Sequence, residues 1–132
     1  MLNVEEVKSS LTLKSMGFEE IHFIRRKSED KENRLNINVV GPEIRGDCFE
    51  VMVQAQILGE GEYQLDTSLK AVFSIEGGLR DENAFMLTNA VAIMFPYLRS
   101  EITLLTSQPG MRPVVLPPIN VQEVMKKVKC QP

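Results

Sequence analysis

The residues able to do chemistry are few and scattered. The chain has one histidine, His22, set between Ile21 and Phe23 with no serine or cysteine beside it as a nucleophile partner. Acid–base catalysis needs a proton acceptor positioned within reach of a substrate, and this arrangement supplies none. Cys48 and Cys130 form no CxxC and no metal-ligand spacing, so neither a zinc site nor a redox pair is indicated. Gly59-Glu60-Gly61 and Gly77-Gly78 lack the spacing and the lysine of a phosphate loop. Carboxylates are plentiful, yet no two sit together inside an apolar run. These residues point away from an enzyme and from a bound cofactor or metal, and towards a binding module.

Composition narrows the class further. A 132-residue chain that is 43% hydrophobic and 25% charged reads as a single domain, residues 1–132, with a modest core. A net charge of −3 gives no basic footprint for nucleic acid. Two cysteines in no recognisable framework favour a reduced, cytoplasmic setting. The start, MLNVEEVKSS, has no basic region followed by an apolar run, so no signal peptide is expected. The uncharged run from Asn83 to Leu98 falls short of the roughly 18–20 residues a membrane span needs. It is expected to be buried in protein.

The elements that must position these residues follow from periodicity. Residues 1–10 are polar and read as a short helix or a frayed lead-in. Leu11 to about Lys27 alternates in two pieces around Gly17, which predicts a strand with a bulge or bend. The charged run Ser28–Arg34 reads as a solvated loop. Leu35, Ile37 and Val39 alternate with Asn36 and Asn38, giving a second strand that Gly41-Pro42 is expected to end. Phe49–Leu58 and Tyr63–Ile75 are strands with one apolar and one polar face, joined by a tight turn at Gly59–Gly61. The period then becomes helical from Asp81 or Asn83, and Pro96 predicts two helical pieces that stop at Pro109-Gly110. Val114–Ile119 holds two prolines and reads as an extended crossing segment. Val121 to about Lys129 reads as a short amphipathic helix. The fold class is therefore α+β: a four-stranded antiparallel sheet, a long helix interrupted by proline, and a short C-terminal helix.

The long helix organises the rest. Phe85, Met86, Leu87, Ala90, Val91, Ala92, Ile93, Met94, Phe95, Tyr97 and Leu98 run most of the way round its wheel. A helix apolar all round must be covered all round. One short chain covers one side, so the other side calls for a second copy of the protein or an apolar client.

Several spaced residues carry a specific resemblance. Phe95-Pro96-Tyr97-x-Arg99 is followed by Gly110-x-x-Pro113 and then by Leu116-x-Pro118-x-Asn120. Upstream, Phe49-Glu50-Val51 and Val72-Phe73-Ser74-Ile75 add to the pattern. Together they resemble the SecB family of protein-export chaperones, over about residues 11–129 and most strongly after Phe49. The family's strand order agrees with the elements read above.

The resemblance implies ATP-independent holding of unfolded or extended polypeptides by a homo-oligomer, a dimer of dimers with its long helices sandwiched between sheets. It places a client groove on Leu35, Ile37 and Val39 and on Val121, Val124 and Met125, with Val128 as an extension. The alternative, that these residues are simply core, stays open at this point. The subunit interface is expected to draw on Met94, Tyr97, Leu98, Ile102 and Leu105. Family members that pass clients to the SecA motor use an acidic patch, matched here by Glu20 and Asp66. Ile24 and Gln64 depart from that patch, Arg25-Arg26 adds positive charge beside it, and the chain ends in Lys-Lys-Val-Lys-Cys-Gln-Pro. A basic motor tail would be attracted less. Client holding thus carries over more firmly than SecA coupling. A dedicated chaperone of a toxin–antitoxin system is the main alternative, and a small-molecule or lipid carrier a further one.

Overall fold

The computed structural model describes residues 11–26, 32–59, 62–75 and 83–127. Four strands, β1 (Leu11–Arg25), β2 (Arg34–Arg45), β3 (Cys48–Gly59) and β4 (Tyr63–Ile75), precede α1 (Asn83–Leu105) and α2 (Val121–Lys127). The strands form one antiparallel sheet in the order β1-β4-β3-β2. The α+β class and the run of strands then helices match the expectation. The lead-in, most of the charged loop, Gly77-Gly78, Asp81, Val128 and Cys130 lie outside the described residues.

The two central strands follow their alternation. Phe49, Val51, Val53, Ala55 and Ile57 of β3 are buried, opposite Phe73, Ala71, Leu69, Thr67 and Leu65 of β4. A slip of one residue would turn all of them outward, so burial of one face fixes the register. The Phe49 and Phe73 rings stack with centroids 5.5 Å apart. Thr67, the one polar side chain in this row, donates its hydroxyl to the Ala55 carbonyl at 3.3 Å, which lowers the cost of burying it.

The edge strands are less regular. Register shifts fall between Leu13 and Ser15 and between Phe18 and Glu20, flanking Gly17 rather than at it. β2 runs on to Arg45 instead of stopping at Gly41-Pro42. The register shift between Val40 and Glu43 absorbs both residues, and pairing resumes at Glu43↔Glu50. Only glycine fits at 41: its φ is 117°, and a Cβ there would sit 2.7 Å from the Glu50 carbonyl oxygen.

α1 lies across the sheet's apolar face, with Met86, Leu87, Ala90, Val91, Met94, Phe95, Leu98 and Ile102 all buried against it. Contrary to expectation it is one continuous 23-residue helix with Pro96 inside. Pro96 and Ala92 both face solvent. Water can therefore take up the Ala92 carbonyl that the proline leaves without a donor. Past the helix, Thr106 donates to the Ile102 carbonyl at 2.8 Å and accepts from the Val114 amide at 2.8 Å. Thr103 donates to the Val114 carbonyl at 2.8 Å. These bonds strap the crossing segment to the helix and seat Leu116 in the core. α2 then starts at an Asn120 cap, whose Oδ1 accepts from the Glu123 amide at 3.2 Å.

Candidate functional site

The apolar face of the sheet is wider than the helix that covers it. By register it takes Leu13 and Ile21 from β1, opposite Phe73 and Thr67, and Leu35 and Ile44 from β2, opposite Ile57 and Phe49. α1 seals the middle. At the margins Leu13, Ile21, Leu35 and Ile44 remain 37%, 43%, 39% and 50% exposed. The helix layer adds Tyr97, Leu104 and Val115, at 53%, 64% and 73%. Solvated apolar side chains on both flanks of one core are the kind of surface that marks an interaction site.

The expected groove residues divide along this boundary. Leu35 is exposed and Ile37 half-buried, while Val39 has no exposed surface and belongs to the core cluster. Val121, Val124 and Met125 are half-buried on α2, which packs on α1. α1 thus contacts both β2 and α2. Val128 lies beyond the described residues.

The expected interface residues divide too. Met94, Leu98 and Ile102 have no exposed surface within one chain. Within one chain they belong to its buried core cluster. Tyr97 is exposed and Leu105 half-buried. Leu104 and Val115 were missed. For Leu104 the signal was present: it follows Tyr97 by seven residues, two turns along the same face. For Leu13, Ile21 and Ile44 no local signal exists, since their exposure depends on how wide the helix is against the sheet.

Glu20 and Asp66 come together on the opposite, polar face of the sheet. They line one cleft of about 440 Å³ with Asn36, Asn38, Gln54, Gln56 and Ser68. Cross-strand amide pairs floor it: Asn38 donates to Gln54 at 3.0 Å and Asn36 to Gln56 at 3.3 Å. Asp66 accepts from Gln64 at 2.9 Å and lies 4.0 Å from His22 Nδ1. Gln64, at the position that departs from the acidic pattern, also accepts from Arg26. Elsewhere on this face Lys70 contacts both Glu19 and Glu50, and Arg45 contacts Glu43 and Glu50. Much of the acidic charge is therefore answered from within the chain. Among the described residues no group of His, Cys, Asp and Glu is placed to hold a metal ion. Nor is any described helix long and apolar enough to cross a membrane. Half-buried Cys48 has its thiol pushed above its ordinary range by desolvation, by the hydrogen bond to Asp47 and by that carboxylate's charge, with Lys14 pulling the other way.

A family model described as preprotein translocase subunit SecB matches residues 8–131. The chain belongs to the SecB family. An uncharacterised protein of Methanocaldococcus jannaschii is 28% identical to this SecB-family chain over 134 residues, covering 92% of the chain and 86% of the relative. Among solved structures, the SecB-like chaperone of Mycobacterium tuberculosis, in complex with a peptide from the HigA1 antitoxin, superposes with a TM-score of 0.64. It shares 14% identity, and the match covers 84% of this chain and 91% of that one. A protein of unknown function from Streptococcus agalactiae follows with a TM-score of 0.52 and 12% identity, over 81% of this chain and 96% of that one. At such identities the two structures speak for the SecB fold.

Proposed function

We propose that this SecB-family chain is an ATP-independent holdase that binds unfolded or extended polypeptides, preproteins among them, in the cytoplasm. The observation that carries the reading is the apolar margin: Leu13 and Ile21 on one flank of α1, Leu35 and Ile44 on the other. Holding needs no catalytic group. It needs apolar surface that accepts varied side chains, and flexible residues such as Met125, half-buried on α2, suit that task. The test is light scattering from a chemically unfolded client diluted into buffer without nucleotide. The protein should suppress aggregation near stoichiometric amounts; unchanged scattering would reject the reading.

A second reading is favoured by the polar face. With Glu19, Glu43 and Glu50 already paired to Lys70 and Arg45, the polar face offers less free acidic charge to attract a basic motor tail. A chaperone dedicated to one partner, without SecA coupling, fits that charge pattern. An antitoxin is a candidate partner, given the peptide in the mycobacterial neighbour. Affinity capture from cells decides between them: one dominant partner supports the dedicated role, and a broad set of unfolded clients supports general holding.

We also propose that a second copy covers the outer face of α1, where Tyr97 and Leu104 lie two turns apart and Leu105 is half-buried. The mass in solution tests it, and a monomer at micromolar concentration would refute it.

A further inference from the structure

We propose that residues 43–45 of β2 form a hinged flap held to the sheet by a charge latch centred on Glu50. The hinge is the break in pairing. Gly41 and Pro42 have no register partner on β3, and pairing resumes for only three residues, Glu43↔Glu50, Ile44↔Phe49 and Arg45↔Cys48. The flap ends in a turn at Gly46, whose φ is 65°. A cleft of about 560 Å³ opens at the hinge, lined by Val40, Pro42, Ile44 and Met52 together with Glu43 and Glu50. The flap is thus attached by a short ladder beside empty space.

The latch offsets that weak attachment. Glu43 and Glu50 stand directly opposite one another, a pairing of like charges that repels by itself. Arg45 bridges them, at 3.0 Å from Glu43 and 3.4 Å from Glu50. Glu50 has only 11% of its side chain exposed, and its second oxygen contacts Lys70 of β4. Lys70 in turn reaches Glu19 of β1 at 2.9 Å. One nearly buried carboxylate therefore ties the flap to the centre of the sheet. Neutralising it leaves Arg45 with Glu43, on the flap itself, and removes the ion pair that joins the flap to the rest of the sheet among the described residues.

Opening the flap would uncover part of the core. Ile44 covers Phe49, which has no exposed surface while the flap is closed, and Val40 and Met52 face the cleft. The uncovered Phe49 would lie on β3, on the same face of the sheet as Leu35 and Ile37 of β2. The latch would then set how much apolar surface this edge offers. That consequence for clients rests on the holding function proposed above; the latch itself does not.

Backbone hydrogen exchange of the full chain, read by mass spectrometry, tests the latch in the parent, Glu50→Gln and Arg45→Gln. Peptides covering residues 41–47 should exchange roughly tenfold faster in both variants, while those covering 51–58 and 63–73 stay at the parent rate. The measurement is repeated at about 0.01 M and about 1 M salt, where charges are screened over roughly 30 and 3 Å. Salt should speed exchange in the parent flap and leave Glu50→Gln unchanged. Equal flap exchange in parent and variants overturns the proposal, and so does an equal salt response with and without Glu50. Global loss of protection in Glu50→Gln would shift the decision to Arg45→Gln, whose side chain is 67% exposed. In the scattering assay the variants should hold more client than the parent. Faster flap exchange with unchanged holding would reject the link to clients. A parent that holds no client would reject the holdase reading and leave the latch standing.

Discussion

The two sides of α1 make opposite predictions for leucines six residues apart. Leu98 has no exposed surface, and Leu104 is 64% exposed. Truncating a sealed core leucine to alanine removes its burial and leaves a cavity, at a cost of about 2–5 kcal/mol. Against a typical stability of about 5–15 kcal/mol this is a large fraction of the whole. At roughly 4 °C per kcal/mol for a chain of this size, Leu98→Ala should lower Tm by on the order of 10 °C. Leu104→Lys removes little buried surface from the chain and places a cation in the last turn of the helix, where the dipole tolerates it. Its cost to the isolated chain should stay within about 0.5 kcal/mol. If a second copy covers this face, Leu104→Lys instead lowers the mass in solution and removes the concentration dependence of unfolding. The assay is denaturant unfolding at two protein concentrations, with the mass measured in parallel. Leu98→Ala should lose the same free energy at both concentrations. Should Leu98→Ala prove neutral to unfolding while dissociating the assembly, the assignment of the inner stripe to the chain's own core is wrong.

Four further outcomes follow from single contacts. Gly41→Ala forces a side chain into the left-handed region at φ 117° and against the Glu50 carbonyl, and should cost at least about 1–3 kcal/mol in denaturant unfolding. Thr106→Val strips the acceptor from the Val114 amide and should cost about 1–3 kcal/mol, with faster hydrogen exchange in residues 111–116. Because the Cys48 thiol is raised, its thiolate fraction at mildly alkaline pH is below that of a free cysteine; in a Cys130→Ser background its alkylation should be slower than that of a cysteine peptide and should climb only at higher pH. A basic peptide should bind the polar face weakly, and less still in Glu20→Gln/Asp66→Asn; tight binding that survives high salt would contradict the internal pairing of the acids.

Much of this fold could be read from alternation. β3 and β4 declare themselves because each inward residue has a polar neighbour, and their register then follows from burying one face. The two misread breaks share a cause. Gly41-Pro42 and Pro96 are local signals of termination, and both are tolerated because of where they lie. The first sits at a sheet edge, where a register shift takes up the unpaired residues; the second faces water, which can solvate the freed carbonyl. Periodicity carries no information about edges or exposure. The same gap explains the site. Met94 and Tyr97 read alike as apolar helix residues, yet one is sealed and the other half-exposed, because only tertiary packing decides which stripe meets the sheet.

The two faces of the sheet differ in what a partner must do to bind. On the polar face a cationic partner would compete with Lys70 and Arg45 for Glu50, whose side chain is only 11% exposed. Displacing either cation strands a charge, which is costly, so those acids are poor bait. Glu20 and Asp66 remain, in a cleft whose Asn and Gln amides are already bonded across the strands. On the apolar face nothing has to be broken. Leu13, Ile21, Leu35 and Ile44 are solvated before binding, and a client residue that covers one gains on the order of 25 cal/mol per Å² without displacing an internal contact. Such a gain does not depend on the client's sequence, only on its having apolar side chains and being free to present them. A folded protein seldom meets that second condition and an unfolded one does, which is how a surface with no catalytic group could still choose its clients by their state.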